Sequence, residues 1–76
     1  MSKPPQLSGE RVVRALKRAG FIDRPGKGSH VFLYHPRDPS RYCTVPLHGS
    51  KIVKRGTLKN ILKGVRLSIE EFLELT

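Results

Sequence analysis

At 76 residues the chain forms one small domain, which buries only about 60–65% of the surface its unfolded form exposes; this excludes a deep, water-free pocket and puts any chemistry on an open face or in a shallow groove. Fifteen Lys and Arg against six Asp and Glu give a net charge of +9, an excess that fits nucleic acid, an anionic surface or an acidic protein. A single cysteine excludes an internal disulfide and a cysteine-based zinc site, and no apolar run approaches the ~18–20 residues of a membrane span.

Residues 1–7 read as a flexible lead-in broken by Pro4 and Pro5, with the domain proper over 8–76. Ser8 is a good N-cap, and Glu10 falls in the first turn, where a carboxylate is favourable. Val12, Leu16 and Ala19 follow at i, i+4 and i+7, widened by Val13 and Ala15, while Arg11, Arg14, Lys17 and Arg18 cover the other side. A first helix over about 9–19, ended by Gly20, is expected. Phe21-Ile22-Asp23-Arg24 reads as a short strand and Pro25-Gly26-Lys27-Gly28 as a turn. A second strand runs over about 29–35, Pro36–Ser40 forms a turn, and a third strand covers about 41–47. Connections this short imply an antiparallel meander. After the loop at His48-Gly49-Ser50-Lys51, a second helix over about 54–63 carries Leu58, Ile61, Leu62 and Val65 as its apolar stripe. Ser68 and Glu71 have capping-box spacing and open a short third helix, with Ile69, Phe72 and Leu73 facing inward.

The expected fold is therefore α+β: a three-stranded antiparallel sheet with helices on one face, in the order α-β-β-β-α plus a short C-terminal helix. The period of two divides the strands. Val31, Leu33, Cys43 and Val45 form the better core set, because burying the alternate residues would strand histidine and tyrosine polar groups. That choice exposes His30, Phe32, Tyr34, Tyr42 and Thr44 together. Cys43 reads as a small core residue, and a reducing, cytoplasmic location is expected.

Several short motifs share an order and spacing. They are Gly20-Phe21 after a basic helix, Gly28-Ser29-His30, Thr44-Val45-Pro46-Leu47-His48-Gly49, Gly56-Thr57-Leu58 with Ile61-Leu62-Lys63, and Leu67-Ser68 with Glu71-Phe72. Together they closely resemble the HicA toxins, or YcfA-like family, over roughly residues 8–73. The resemblance implies a fold like the double-stranded RNA-binding domain. It also implies a ribosome-independent mRNA endonuclease, the toxin of a type II toxin–antitoxin system, held inactive by a HicB-like antitoxin. The family's active histidine lies in the Gly-Ser-His motif, so that role carries over to His30. The motif at Pro46, His48 and Gly49 also matches, and His48 stands open between helping catalysis and anchoring a loop. The Arg37-Asp38-Pro39-Ser40 turn is a region where members vary in length.

RNA carries its own nucleophile, the 2′-hydroxyl, so a nuclease can cut it without a metal. Such an enzyme needs a base, cations for the developing charge and a proton for the leaving 5′-oxygen. Imidazole titrates nearest neutrality, which makes His30 the candidate base or proton shuttle. Lys27 and Lys51 are the nearest cations in sequence, and Ser29 either orients His30 or fills a turn. No acids cluster with metal-ligand spacing, so no metal or cofactor is expected. Phe32 is a candidate base-stacking platform; Tyr34 and Tyr42 are candidates for the same surface or neighbours that shield the sheet. Gly28, Gly56 and Thr57 are candidate RNA-binding positions, each with a plain turn or helix-start reading beside it. His35, before a proline at a strand end, reads as structural. The residues alone support a basic RNA-binding α+β domain with a hydrolytic candidate; the reaction and the antitoxin come from the resemblance. A non-catalytic RNA-binding module is the alternative, followed by a module for an acidic protein partner. No membrane partner is expected, and the free protein is expected to be a monomer.

Overall fold

The computed structural model describes residues 6–25, 28–47 and 51–76. Six elements follow one another: α1 (Gly9–Arg18), β1 (Ile22–Pro25), β2 (His30–His35), β3 (Asp38–Pro46), α2 (Arg55–Val65) and α3 (Ile69–Leu75). The strands form one antiparallel sheet in the order β1-β2-β3. The domain is α+β with the element order that the alternation and capping signals predict.

Local chemistry sets the helix ends. Ser8 has an extended backbone, and its hydroxyl accepts the Arg11 N–H at 3.4 Å. Glu10 in the first turn and Lys17 and Arg18 in the last both complement the helix dipole. Gly20, at φ +98°, ends the run in a conformation that side chains disfavour. Helix α2 closes on Arg66 in the left-handed region. The predicted box opens α3: Glu71 N–H donates to Ser68 Oγ at 3.0 Å, and Ser68 N–H donates to Glu71 Oε1 at 2.9 Å. The bond from the Ser68 backbone N–H, and the Ser68 side chain after it, hold the Glu71 carboxyl below its ordinary value.

The core lies between the sheet and the helices. Val12 and Leu16 of α1, Leu33 and Val45 of the sheet, Leu58 and Val65 of α2 and Phe72 of α3 are sealed from water. Cys43 is buried with them, and Val31 packs at the rim. Helix α2 lies so close to β3 that a Cβ on Gly64 would stand 2.5 Å from the Tyr42 carbonyl oxygen. Only glycine allows that approach.

Four placements differ from the sequence reading. Strand β3 begins at Asp38, so the expected turn over 36–40 shrinks to Pro36-Arg37. A register shift between Tyr34 and His35 lets Asp38 pair with His35, and the Asp38 carboxylate accepts from both the N–H and the hydroxyl of Ser40. Those bonds hold the Asp38 carboxyl below its ordinary value, with Arg66 and Arg41 adding to the effect. Phe21 precedes β1 and is buried, with His35 edge-on at 5.1 Å and the Arg41 guanidinium 5.3 Å from its ring centre. Leu7 belongs to the core: its carbonyl accepts the Val53 N–H at 2.8 Å, and Ser8 bridges Ile52. Leu73 is only half-buried, and Phe72 carries the inward face of α3.

Candidate nucleic-acid interface

The strand register arranges the uncovered side of the sheet in rows. Cross-strand partners share a face, so Ile22, Tyr34 and Tyr42 form one row, Arg24, Phe32 and Thr44 the next, and His30 and Pro46 the last. Phe32 stacks on Tyr34 with centroids 6.1 Å apart and planes 27° apart, and it lies 5.8 Å from Tyr42. Tyr42 is 53% exposed and Ile22 44%. Three aromatic rings thus form one contiguous surface beside an exposed histidine, which is the shape that unstacked bases require.

His30 is the first residue of β2. The Ser29 carbonyl accepts the Leu47 N–H, so the ladder runs one residue beyond the strand and anchors the backbone that presents the imidazole. Gly28, at φ +71°, supplies the left-handed turn that starts the strand, and the space beside it is open. On the far side of Pro46 lies a groove of about 420 Å³ lined by Pro46, Lys51, Ile52, Val53, Lys54 and Thr57. Lys51 and Thr57 therefore meet in a groove that begins at the cross-strand partner of His30. Gly56 is exposed in the first turn of α2. That turn holds no acid, and its N-cap, Lys54, makes no side-chain capping bond. Lys27 and His48 lie outside the described residues.

The other titratable candidates serve the fold. His35 Nδ1 accepts the Arg37 N–H at 3.2 Å. It stands at the opposite end of β2 from His30, about 17 Å away along the strand, so the two imidazoles do not form a pair. Burial pushes the Cys43 thiol up from 9.0 to about 12, which keeps it protonated and poor as a nucleophile. Arg41 is occupied by Phe21 and by the Val65 carbonyl, to which its Nε donates at 2.8 Å. Among the described residues no group of three or more His, Cys, Asp or Glu could hold a metal ion, and no helix is long and apolar enough to cross a membrane.

Sequence reasoning overlooked Arg24 and Lys54. Arg24 shares the face of Phe32 only through the β1–β2 register, and Lys54 meets Pro46 only through the return of α2. Neither relation leaves a local signal in the chain.

The family model for the HicA toxin of bacterial toxin–antitoxin systems matches residues 9–67. The chain belongs to the HicA toxin family. The matched span runs from the start of α1 through α2 and takes in the whole sheet, His30, the aromatic rows and the groove at Lys51. Helix α3, although it supplies Phe72 to the core, lies outside the matched span of this HicA-family chain. No curated protein matches the sequence. Membership makes it a toxin-family protein, to which an antitoxin partner corresponds in general terms.

Proposed function

We propose that this HicA-family toxin is an endoribonuclease that cleaves mRNA without a metal, independently of the ribosome, and uses His30 as general acid and base. Its control would come from a HicB-like antitoxin, and its place of action would be the cytoplasm. The observation that carries this reading is the exposed imidazole at the end of the uncovered sheet face, one row from Phe32 and its tyrosine neighbours.

In the proposed reaction a base takes the proton of a ribose 2′-hydroxyl. The 2′-oxygen attacks the adjacent phosphorus, the bond to the 5′-oxygen breaks, and that oxygen leaves with a proton. The products are a 2′,3′-cyclic phosphate and a 5′-hydroxyl. Phe32, with Tyr34 and Tyr42, holds splayed bases by stacking. Lys51 and Thr57, which line the groove at Pro46, would hold phosphate charge, and Gly56 is a candidate for the same support by its place in the first turn of α2. Lys27 and His48 remain candidates for the same support by their place in the sequence, as does Ser29 for orienting His30.

His30→Ala should lower cleavage by about 10²–10⁴-fold and abolish growth arrest in cells while leaving RNA binding intact. The RNA ends formed by the parent protein should be cyclic phosphate and 5′-hydroxyl. Undiminished cleavage by His30→Ala, or 3′-hydroxyl and 5′-phosphate ends, would refute the mechanism. RNA that binds to the parent and stays intact would instead favour the non-catalytic module.

A further inference from the structure

A second groove, of about 500 Å³, separates the outer edge of β3 from α2, with Tyr42, Thr44, Thr57, Asn60 and Lys63 among its walls. Thr57 also lines the groove at Pro46, so the two grooves adjoin at that residue, the one at Pro46 beginning at the cross-strand partner of His30. We infer that the path they make is a backbone subsite for single-stranded RNA: a strand leaving His30 passes Pro46 and descends along Lys54, Thr57, Asn60 and Lys63. The inference rests on the proposed ribonuclease reading and adds to it the direction of the substrate and the residues that hold it.

Three observations support this occupant. First, Lys54, Thr57, Asn60 and Lys63 recur every third residue and form one oblique row across α2. The row sets two neutral hydrogen-bonding groups, Thr57 and Asn60, between a cation at each end, Lys54 and Lys63. A threonine hydroxyl or an asparagine amide can both donate to and accept from a 2′-hydroxyl, which itself does both. Second, the opposite wall is polar backbone. The Ser29–Leu47 bond fixes which β3 residues bond to β2, so Val45 and Cys43 face inward and the amide groups of Thr44 face α2. The Tyr42 carbonyl, of the same parity, does meet Gly64. Third, among the described residues that line the two grooves none is acidic. Arg66, at the far end, is 3.6 Å from Asp38 and is occupied by that ion pair. An acidic protein would also find cations here, and its binding is the competing outcome that the test reads.

Lys54 and Lys63 are nine residues apart, about 14 Å along the helix axis. At ~3.4 Å per phosphate in a stacked strand, and more when unstacked, the path holds about two to four nucleotides.

The test reads binding rather than cleavage. In the His30→Ala full-length protein, the affinity for a short fluorescein-labelled single-stranded RNA is measured by anisotropy across a salt series. Removing one lysine–phosphate pairing lowers the slope of log K against log salt by about 0.7. Lys54→Gln with Lys63→Gln should therefore lower it by about 1.4, and Asn60→Ala should weaken binding at unchanged slope. Lys59→Gln removes the same charge from α2 outside both grooves and should leave the slope at its parent value. All four side chains are exposed, so the fold should persist, and circular dichroism checks this. An equal fall in slope for Lys59→Gln and Lys63→Gln would mean diffuse attraction and overturn the subsite. So would an unchanged slope in the double variant, or weakened binding to an acidic polypeptide alone. RNA binding with unaltered slopes removes the subsite and leaves the ribonuclease reading standing; a parent protein that binds no RNA removes both.

Discussion

The two faces of the sheet come from the same strands yet obey different rules. On the covered face Leu33, Cys43 and Val45 are sealed under the helices, and even a thiol behaves as packing material. One residue along β3 from Cys43, Tyr42 stands 53% exposed, and with Phe32 and Tyr34 it forms an aromatic surface that no helix covers. Side chains on the first face are chosen for volume and lack of polar atoms. Those on the second mix apolar groups such as Phe32 with side chains whose polar atoms water or a ligand must satisfy, the imidazole among them. A chain this small cannot enclose a site, so its strands divide by parity: every second residue faces the core, and the residues between stay on the uncovered face.

Substitutions that separate the faces break or sharpen this contrast. The largest stability effect should come from Phe72→Ala. That ring is fully buried at the centre of the core, and deleting it should cost about 3–5 kcal/mol, read from the urea midpoint. Tyr42→Ala, on the other face, should stay within about 0.5 kcal/mol of the parent. A Tyr42→Ala protein as unstable as Phe72→Ala would mean that the uncovered face is part of the core.

The next effect runs the other way. Phe32→Ala should weaken single-stranded RNA binding by about 1–3 kcal/mol, the range for one stacked base, with little change in the urea midpoint. Phe32 is the ring to choose because it contacts both tyrosines and lies one row from His30. Unchanged affinity in that variant would leave the rings as a cover for the sheet and nothing more.

This division was legible before any coordinates because a strand repeats every two residues and leaves a clear trace. Val31 and Leu33 alternate with His30, Phe32 and Tyr34 within one short segment. Caps were legible for the same local reason, at Ser8, Gly20 and Ser68. What escaped notice depends on residues distant in sequence. Leu7 and Val53 each sit in segments without period, and only their mutual hydrogen bond and the core they share make them structural. The early start of β3 at Asp38 hides behind Pro39 and Ser40, weak strand formers that the His35 register shift and the Asp38–Ser40 bonds hold in place. The groove beside β3 depends on Gly64, whose missing side chain lets α2 close on Tyr42. A lone glycine in a helix reads as a weak spot until the opposing carbonyl is seen.

The smallest effect tests how the covered face keeps its last element. Helix α3 has only seven residues, too few to be stable alone in water. It is held by Phe72 in the core and by the box at Ser68, and the Leu75 carbonyl accepts from the Arg18 guanidinium at 2.8 Å. Ser68→Ala removes the N-cap acceptor and should cost about 1 kcal/mol near neutral pH. Part of what the box contributes should depend on pH. The bonds to Ser68 keep the Glu71 carboxyl below its ordinary 4.5, so its contribution is present above that value and is lost as pH falls through the lowered one. The leading bond comes from the Ser68 backbone N–H, which Ser68→Ala keeps, so this part is read from Glu71→Gln, whose stability deficit against the parent should shrink as the solution is acidified below about pH 4.5. A constant deficit for Glu71→Gln down to low pH would mean that the Glu71 charge adds nothing through the box, leaving Phe72, the Ser68 hydroxyl and the Arg18–Leu75 bond to hold α3 over the sheet.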